Sequence, residues 1–145
     1  SRLALLRELG LEVFDPRAGG VSGLVRERFD GEGPDAVIEL TGTEEGMCQA
    51  VEAVRYRGTI VAVGLTKGVT GLDTRRVVFG ETTIAGSRVY APVDIDTSIG
   101  LIASGRVKTA PLVKTFRIED APDLFRKMAA GEGNLMKAVF RLGDG

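Results

Sequence analysis

The stretch Thr59-Ile60-Val61-Ala62-Val63-Gly64 restricts most strongly what this chain can fold into. It is almost wholly apolar, short, and entered through Gly58. A run of this kind is expected where helices cover both faces of a parallel sheet. The preceding segments support that reading. Asp35-Ala36-Val37-Ile38-Glu39-Leu40 reads as another strand, and Met47, Ala50, Val51 and Val54 between the two keep helical i, i+3, i+4, i+7 spacing. Thr43 stands where the helix N-cap belongs, with Glu44 and Glu45 favourably placed near the positive end of the helix dipole.

The same alternation extends outward. SRLALLRELG reads as two helical turns stopped at Gly10, without a start signal, as expected either of a short, frayed N-terminal helix or of a chain that begins inside a domain. Leu11-Glu12-Val13-Phe14 is a short strand candidate closed by Asp15-Pro16, and Val21, Leu24, Val25 and Phe29 share one helical face before Gly31-Glu32-Gly33-Pro34. After a looser stretch containing Gly68 and Gly71, Thr82 to Ser87 is a further strand. The order α-β-α-β-α-β-loop-β is that of an α/β domain with a parallel sheet.

From Ala91 the pattern changes. A helix through Ile95, Ile99 and Ile102 is expected to end at Gly105, followed by an extended piece from Leu112 to Ile118. A helix through Ala121, Leu124, Phe125 and Met128 behind an Asp120 cap, and a strand from Met136 to Leu142, complete the chain. The domain boundary is placed at residue 90, dividing 1–90 from 91–145.

Composition then removes whole classes of function. The chain has no histidine, which takes away the usual general base, the Ser-His-Asp shuttle and the commonest metal ligand. A single cysteine, Cys48, excludes an internal disulfide framework and a multi-cysteine zinc cluster, and it reads as a small core residue. Net charge −1 provides no electrostatic footprint for nucleic acid. No apolar run approaches the roughly 20 residues of a membrane-spanning helix, so a cytoplasmic protein is expected. The 20 glycines, against an ordinary share of about 7%, imply many tight turns or close backbone approaches.

In open parallel sheets, ligands bind outside the carboxyl ends of the strands. Three strands here end in small residues, at Leu40-Thr41-Gly42, Val63-Gly64-Leu65 and Gly86-Ser87. Each lets a flat ligand approach the backbone, and each glycine also suffices for a plain turn. Asp94 and Asp96 read as helix-capping residues rather than metal ligands. Glu39, at a strand end, is expected to hydrogen-bond neighbouring backbone. Arg2 and Lys137 read by default as solvated surface charges.

The segments RLALLRELG, GPDAVIELTG, RGTIVAVGL, TTIAGSRVY and ASGRVKTAPLVKTFRIEDAPDLFRKMAAGEGNLMKAVFRL, in this order and spacing, resemble the C-terminal part of the medium-chain, zinc-dependent alcohol/polyol dehydrogenases. The GEGN stretch is similar to the sorbitol, threonine and butanediol dehydrogenase branch. The resemblance implies a partial doubly wound, Rossmann-type parallel sheet without its first two strands, followed by a C-terminal α+β tail that would return to a catalytic domain. It implies that the zinc site, the G-x-G-x-x-G turn and the acidic ribose-reading residue belong to an N-terminal part outside this chain. The function implied is the cofactor-binding portion of an NAD(P)-dependent oxidoreductase acting on secondary alcohols, polyols or ketones, with 1–145 alone inactive. A non-catalytic assembly module and a metal-independent, quinone-reductase-like member of the superfamily are the alternatives.

The resemblance also implies site residues. Arg2 corresponds to a basic residue near the adenosine ribose, and Leu40, Thr41 and Gly42 to the loop lining the adenosine and nicotinamide-ribose region. Val63, Gly64 and Leu65 correspond to the backbone that meets the nicotinamide carboxamide, with Ser87 and Val89 on its other side. Lys137 corresponds to a basic position near the pyrophosphate, while Arg88 and Tyr90 border the substrate cleft. In the family's sheet order 3-2-1-4-5-6, the absent strands lie between Leu11–Phe14 and Asp35–Leu40. Leu11–Phe14 is therefore expected to pack directly on Asp35–Leu40, to exchange elements with another copy, or to need the absent half. The edge strand at 83–89 is expected to pair with its twin in a homo-oligomer.

Overall fold

The computed structural model describes residues 2–15, 19–132 and 135–143. Ser1, the strand-closing Pro16 and the Gly133-Asn134 half of GEGN lie outside them. The elements are α1 (Arg2–Glu8), α2 (Val21–Arg28), β1 (Ala36–Glu39), α3 (Glu44–Ala53), β2 (Thr59–Ala62), α4 (Thr74–Phe79), β3 (Thr83–Gly86), α5 (Pro92–Ala103), β4 (Val113–Arg117), α6 (Ala121–Ala129) and β5 (Lys137–Arg141). They form two compact units, Phe14–Val89 and, together, Ser1–Val13 with Tyr90–Gly145.

In the first unit, β1, β2 and β3 form a three-stranded parallel sheet in that order, with Val37 opposite Ile60 and Ile60 opposite Ile84. Strand alternation sends Val37, Ile60 and Glu39 to one face, where Ala50, Val51 and Val54 of α3 and its C-terminus close over a fully buried Ile60. Thr43 caps α3 as expected, its hydroxyl accepting from the Gly46 amide at 3.0 Å. On the opposite face Ile38 is 64% exposed and Val61 half-buried. No described helix is long and apolar enough to cross a membrane.

Several expectations need correction. Leu11–Phe14 form no strand, and among the described residues the ladder partner of β1 is β2 alone, so direct packing of that segment on Asp35–Leu40 is overturned. A strand exists only through its neighbours, and sequence alternation does not reveal whether one is present. The edge at 83–89 is shorter than expected, because β3 stops at Gly86 and Val89 adopts a left-handed φ of 52°. Helix α4 falls in the stretch read as loose. Asp73 starts it by accepting from the Arg75 amide at 3.1 Å, and Leu72 and Val77 pack on the core around Ile60.

The second unit contains α1, stopped as expected by Gly10 at φ 84°, with the Leu11 and Gly10 amides bonding back to Leu6 and Arg7 at 3.1 and 2.9 Å. Its β4 and β5 pair in parallel across α6, with Phe140 6.4 Å from Phe116 and 6.0 Å from Phe125 between ring centroids. Asp120 precedes α6 but makes no side-chain cap: the 3₁₀ turn Ile118–Asp120 leads into the helix with Asp120 already in helical conformation, a geometry that keeps its carboxylate from the first-turn amides. Asp94 does act at a helix start, accepting from the Ala91 amide at 2.8 Å.

Candidate functional site

The carboxyl ends of β1 and β2 converge in the first unit. Backbone amides of Val63 and Gly64 both donate to the Glu39 carbonyl at 3.0 Å, which brings the loop after β2 alongside the loop after β1. The contact is backbone to backbone. A Cβ on Gly64 would fall 2.2 Å from the Gly42 nitrogen, and one on Gly42, at φ 62°, would fall 2.6 Å from the Leu65 carbonyl oxygen. The room left by these two glycines is therefore filled by each other's loops. Gly86, by contrast, has open space where a Cβ would stand, and the following Ser87 amide bonds to Ala62 at 3.0 Å.

Leu40 and Leu65 flank this junction and are 68% and 85% exposed, with Val63 partly exposed beside them. Both leucines therefore present apolar surface to solvent at the ends of adjacent strands. At the end of β1, Glu39 is only 4% exposed, the one buried charged residue among those described. Its carboxylate accepts from the Thr41 amide at 2.6 Å, from the Thr41 hydroxyl, and from the Gly42 amide at 3.3 Å. The Thr41 hydroxyl holds the Glu39 carboxyl below its ordinary range; burial opposes this, and the Thr41 and Gly42 amides reinforce it.

That shift has a consequence for stability. A carboxylate whose folded pKa is depressed contributes stability that is fully present above its unfolded value and is lost as pH falls through the folded one. The urea midpoint of the chain is therefore expected to lose the Glu39 contribution only below about pH 4.3, the ordinary glutamate value. Glu39→Gln removes that part of the acid slope, as urea titrations of both proteins across pH 3–6 would reveal; an unchanged slope overturns the assignment. Asp73 and Glu81 are also shifted down, by the Arg75 guanidinium and the Tyr56 hydroxyl respectively, but both lie in solvent where such pairs contribute little.

Of the sequence-derived residues, Leu40, Thr41, Gly42, Val63, Gly64 and Leu65 come together at this junction, and Ser87 follows the neighbouring strand end. Val89 and Arg88 lie beyond β3 in the same unit, whereas Arg2, exposed at the start of α1, and Lys137, at the start of β5, belong to the other. Tyr90 is there too, and with Asp94, Ile95, Ser98, Ile99 and Ile102 it lines an open groove of about 370 Å³ along α5. Cys48 is half-buried, with its thiol 3.4 Å from the Gly71 carbonyl. Sequence reasoning passed over Gly46, whose absent Cβ would lie 2.2 Å from the Thr41 hydroxyl and 2.8 Å from Glu39 Oε1. A glycine in the first turn of an otherwise well-formed helix was the available signal.

Zinc-binding dehydrogenase, as a family, matches residues 1–104. Alcohol dehydrogenase 1 of Caenorhabditis elegans is 39% identical over 108 residues, covering 74% of this chain and 30% of that protein. L-galactonate-5-dehydrogenase of Escherichia coli K12 is 35% identical over 109 residues, covering 75% and 32%. Among solved structures, the alcohol dehydrogenase zinc-binding domain protein from Burkholderia ambifaria aligns with a TM-score of 0.83 at 26% identity, over 98% of this chain and 39% of that one. The chain spans less than half the length of each of these relatives. With the match running through α1, the three-stranded sheet and α5, the chain belongs to the zinc-binding dehydrogenase family.

Proposed function

We propose that this chain is the cofactor-binding portion of an NAD(P)-dependent oxidoreductase acting on secondary alcohols, polyols or the corresponding ketones. The observation that carries the reading is the junction of the loops after β1 and β2, where exposed Leu40 and Leu65 flank a rigid backbone contact at the carboxyl end of a parallel sheet. Their apolar surface is a shelf for the face of a planar base or nicotinamide, with Ser87 and Val89 as further contacts from the β3 side. When bound, the dinucleotide supplies the hydride; the protein's part is to hold and orient it. Arg2 is assigned to the adenosine ribose and Lys137 to the pyrophosphate. The G-x-G-x-x-G phosphate cradle is assigned, as the resemblance implies, to an N-terminal part outside this chain.

Zinc does not fit the residues of this chain. Histidine is absent, and no three Cys, Asp or Glu side chains among the described residues gather into a donor set. Any zinc of the whole protein is assigned to its N-terminal half. The substrate is a small alcohol or ketone, and Tyr90 and Arg88 are assigned to the border of its cleft. Self-pairing through the β3 edge is part of the same proposal.

Calorimetric titration with NADH tests this reading. Heat with a saturable isotherm below about 1 mM, the upper end of ordinary cofactor and substrate affinities, is the expected result. No heat at millimolar NADH overturns it in favour of a non-catalytic assembly module.

A further inference from the structure

Glu39 poses a physical problem that the proposed function leaves unsolved. It occupies an inward position of β1, in register with Ala62 and on the same face as Val37 and Ile60, where an apolar side chain is the ordinary choice. Burying a carboxylate there is costly unless hydrogen bonds replace its water. Three donors do so, and all come from the next three residues: the Thr41 amide, the Thr41 hydroxyl and the Gly42 amide. The chain has therefore placed a charge where stability alone does not call for one, and folded the loop after β1 around it.

The bonding has a direction. An ionised carboxylate only accepts, so the Thr41 hydroxyl must donate to it. Thr41 Oγ1 is then left to accept, and it lies 2.9 Å from the Thr43 hydroxyl and 3.3 Å from the Thr43 amide. The Thr43 hydroxyl in turn accepts from the Gly46 amide in the first turn of α3. One chain of hydrogen bonds thus runs from the buried charge through Thr41 and Thr43 to the start of the helix. The missing side chains of Gly46 and Gly64 complete the fit, because a Cβ on either would lie 2.8 Å from a Glu39 carboxylate oxygen.

Building on the dinucleotide reading above, we infer that Glu39 is a positioning residue for the cofactor: its carboxylate fixes the Leu40–Thr43 loop against Gly64 and Leu65, setting the spacing of the shelf that receives the ring. Main chain and side chain of one residue hold both loops, since the Glu39 carbonyl takes the Val63 and Gly64 amides while its carboxylate takes those of Thr41 and Gly42. An amide cannot substitute. If Gln keeps its oxygen toward Thr41, its NH2 faces the Gly42 amide, donor against donor. Gly42 must then move, and its contact with Gly64 carries that movement to the end of β2.

The test uses the complete polypeptide that carries this chain, with NADH as probe. Glu39→Gln and Thr41→Val are each expected to raise the NADH dissociation constant about tenfold, the scale of one charge-assisted hydrogen bond. Thr41→Ser, which keeps the hydroxyl, is expected to bind like wild type. The double variant Glu39→Gln/Thr41→Val is expected to bind no worse than either single one, because both remove the same link. In turnover, KM for the dinucleotide rises while KM for the alcohol stays unchanged. If Glu39→Gln does not fold, Thr41→Val against Thr41→Ser decides alone. Folded variants that bind NADH like wild type overturn the positioning role and leave the dinucleotide reading standing. A wild-type protein that fails to bind NADH overturns both.

Discussion

Replacing Gly64 with alanine is expected to destabilise the three-stranded unit by about 2–3 kcal/mol, the upper part of the range for forced overpacking. The added Cβ would meet the Gly42 nitrogen at 2.2 Å and the Gly42 Cα at 2.7 Å. Both are backbone atoms, and no side-chain rotation relieves the clash. The loops must separate, which stretches the bonds from Val63 and Gly64 to the Glu39 carbonyl and exposes the carboxylate beneath. Against a total stability of about 5–15 kcal/mol, such a loss is readily seen as a lower urea midpoint. NADH affinity is expected to fall with it. Gly23→Ala supplies the opposite sign: Gly23 lies inside α2 with nothing within 4 Å of a new Cβ, so the variant is expected to gain roughly 0.5–1 kcal/mol from helix propensity. Equal midpoints for Gly64→Ala and wild type would show that the two loops are not in the close contact described.

The glycine pair shows where sequence reading stops. That Gly42 and Gly64 follow the carboxyl ends of two parallel strands was legible from apolar runs and turn residues. What fills the space beside them was not, since it depends on the separation of two loops more than 20 residues apart in sequence. Thr43 as a cap was legible because capping is local, with donor and acceptor three residues apart. Helix α4 escaped because its six residues include the β-branched pair Val77-Val78, which reads as readily as strand, although Asp73 offered a capping signal. Leu11–Phe14 failed for the converse reason: its pattern suits a strand, but the described residues provide no neighbour for it to pair with. For Glu39, a carboxylate at an inward strand position followed by Thr-Gly was visible in the sequence; that all its donors come from that same loop needed coordinates.

Residues 1–145 on their own are expected to self-associate at micromolar concentration, and the β3 edge is where the association is expected to occur. Strand β3 is exposed along its whole length, and its inward bonds are identifiable: the Thr83 and Ser87 amides donate to Gly58 and Ala62 of the β2 side at 3.0 Å. Parallel pairing alternates, so the Ala85 amide also points to β2 while those of Ile84 and Gly86 point to the free edge. An edge with outward donors and no further strand among the described residues is a template for another strand. Gly86→Pro removes one outward donor at a site with open space for the ring, and is expected to weaken association at least about tenfold, the worth of one or two lost hydrogen bonds. Ala85→Pro removes an inward donor instead and is expected to unfold the sheet. Strand β1 at the other side of the sheet provides the alternative surface, and Ile38→Lys places a charge on its exposed face. Sedimentation velocity separates the outcomes. Association lost in Gly86→Pro and kept in Ile38→Lys places the interface on β3, and the reverse places it on β1. A wild-type chain that sediments as a 15.4 kDa monomer at all concentrations shows that neither bare edge recruits a second copy.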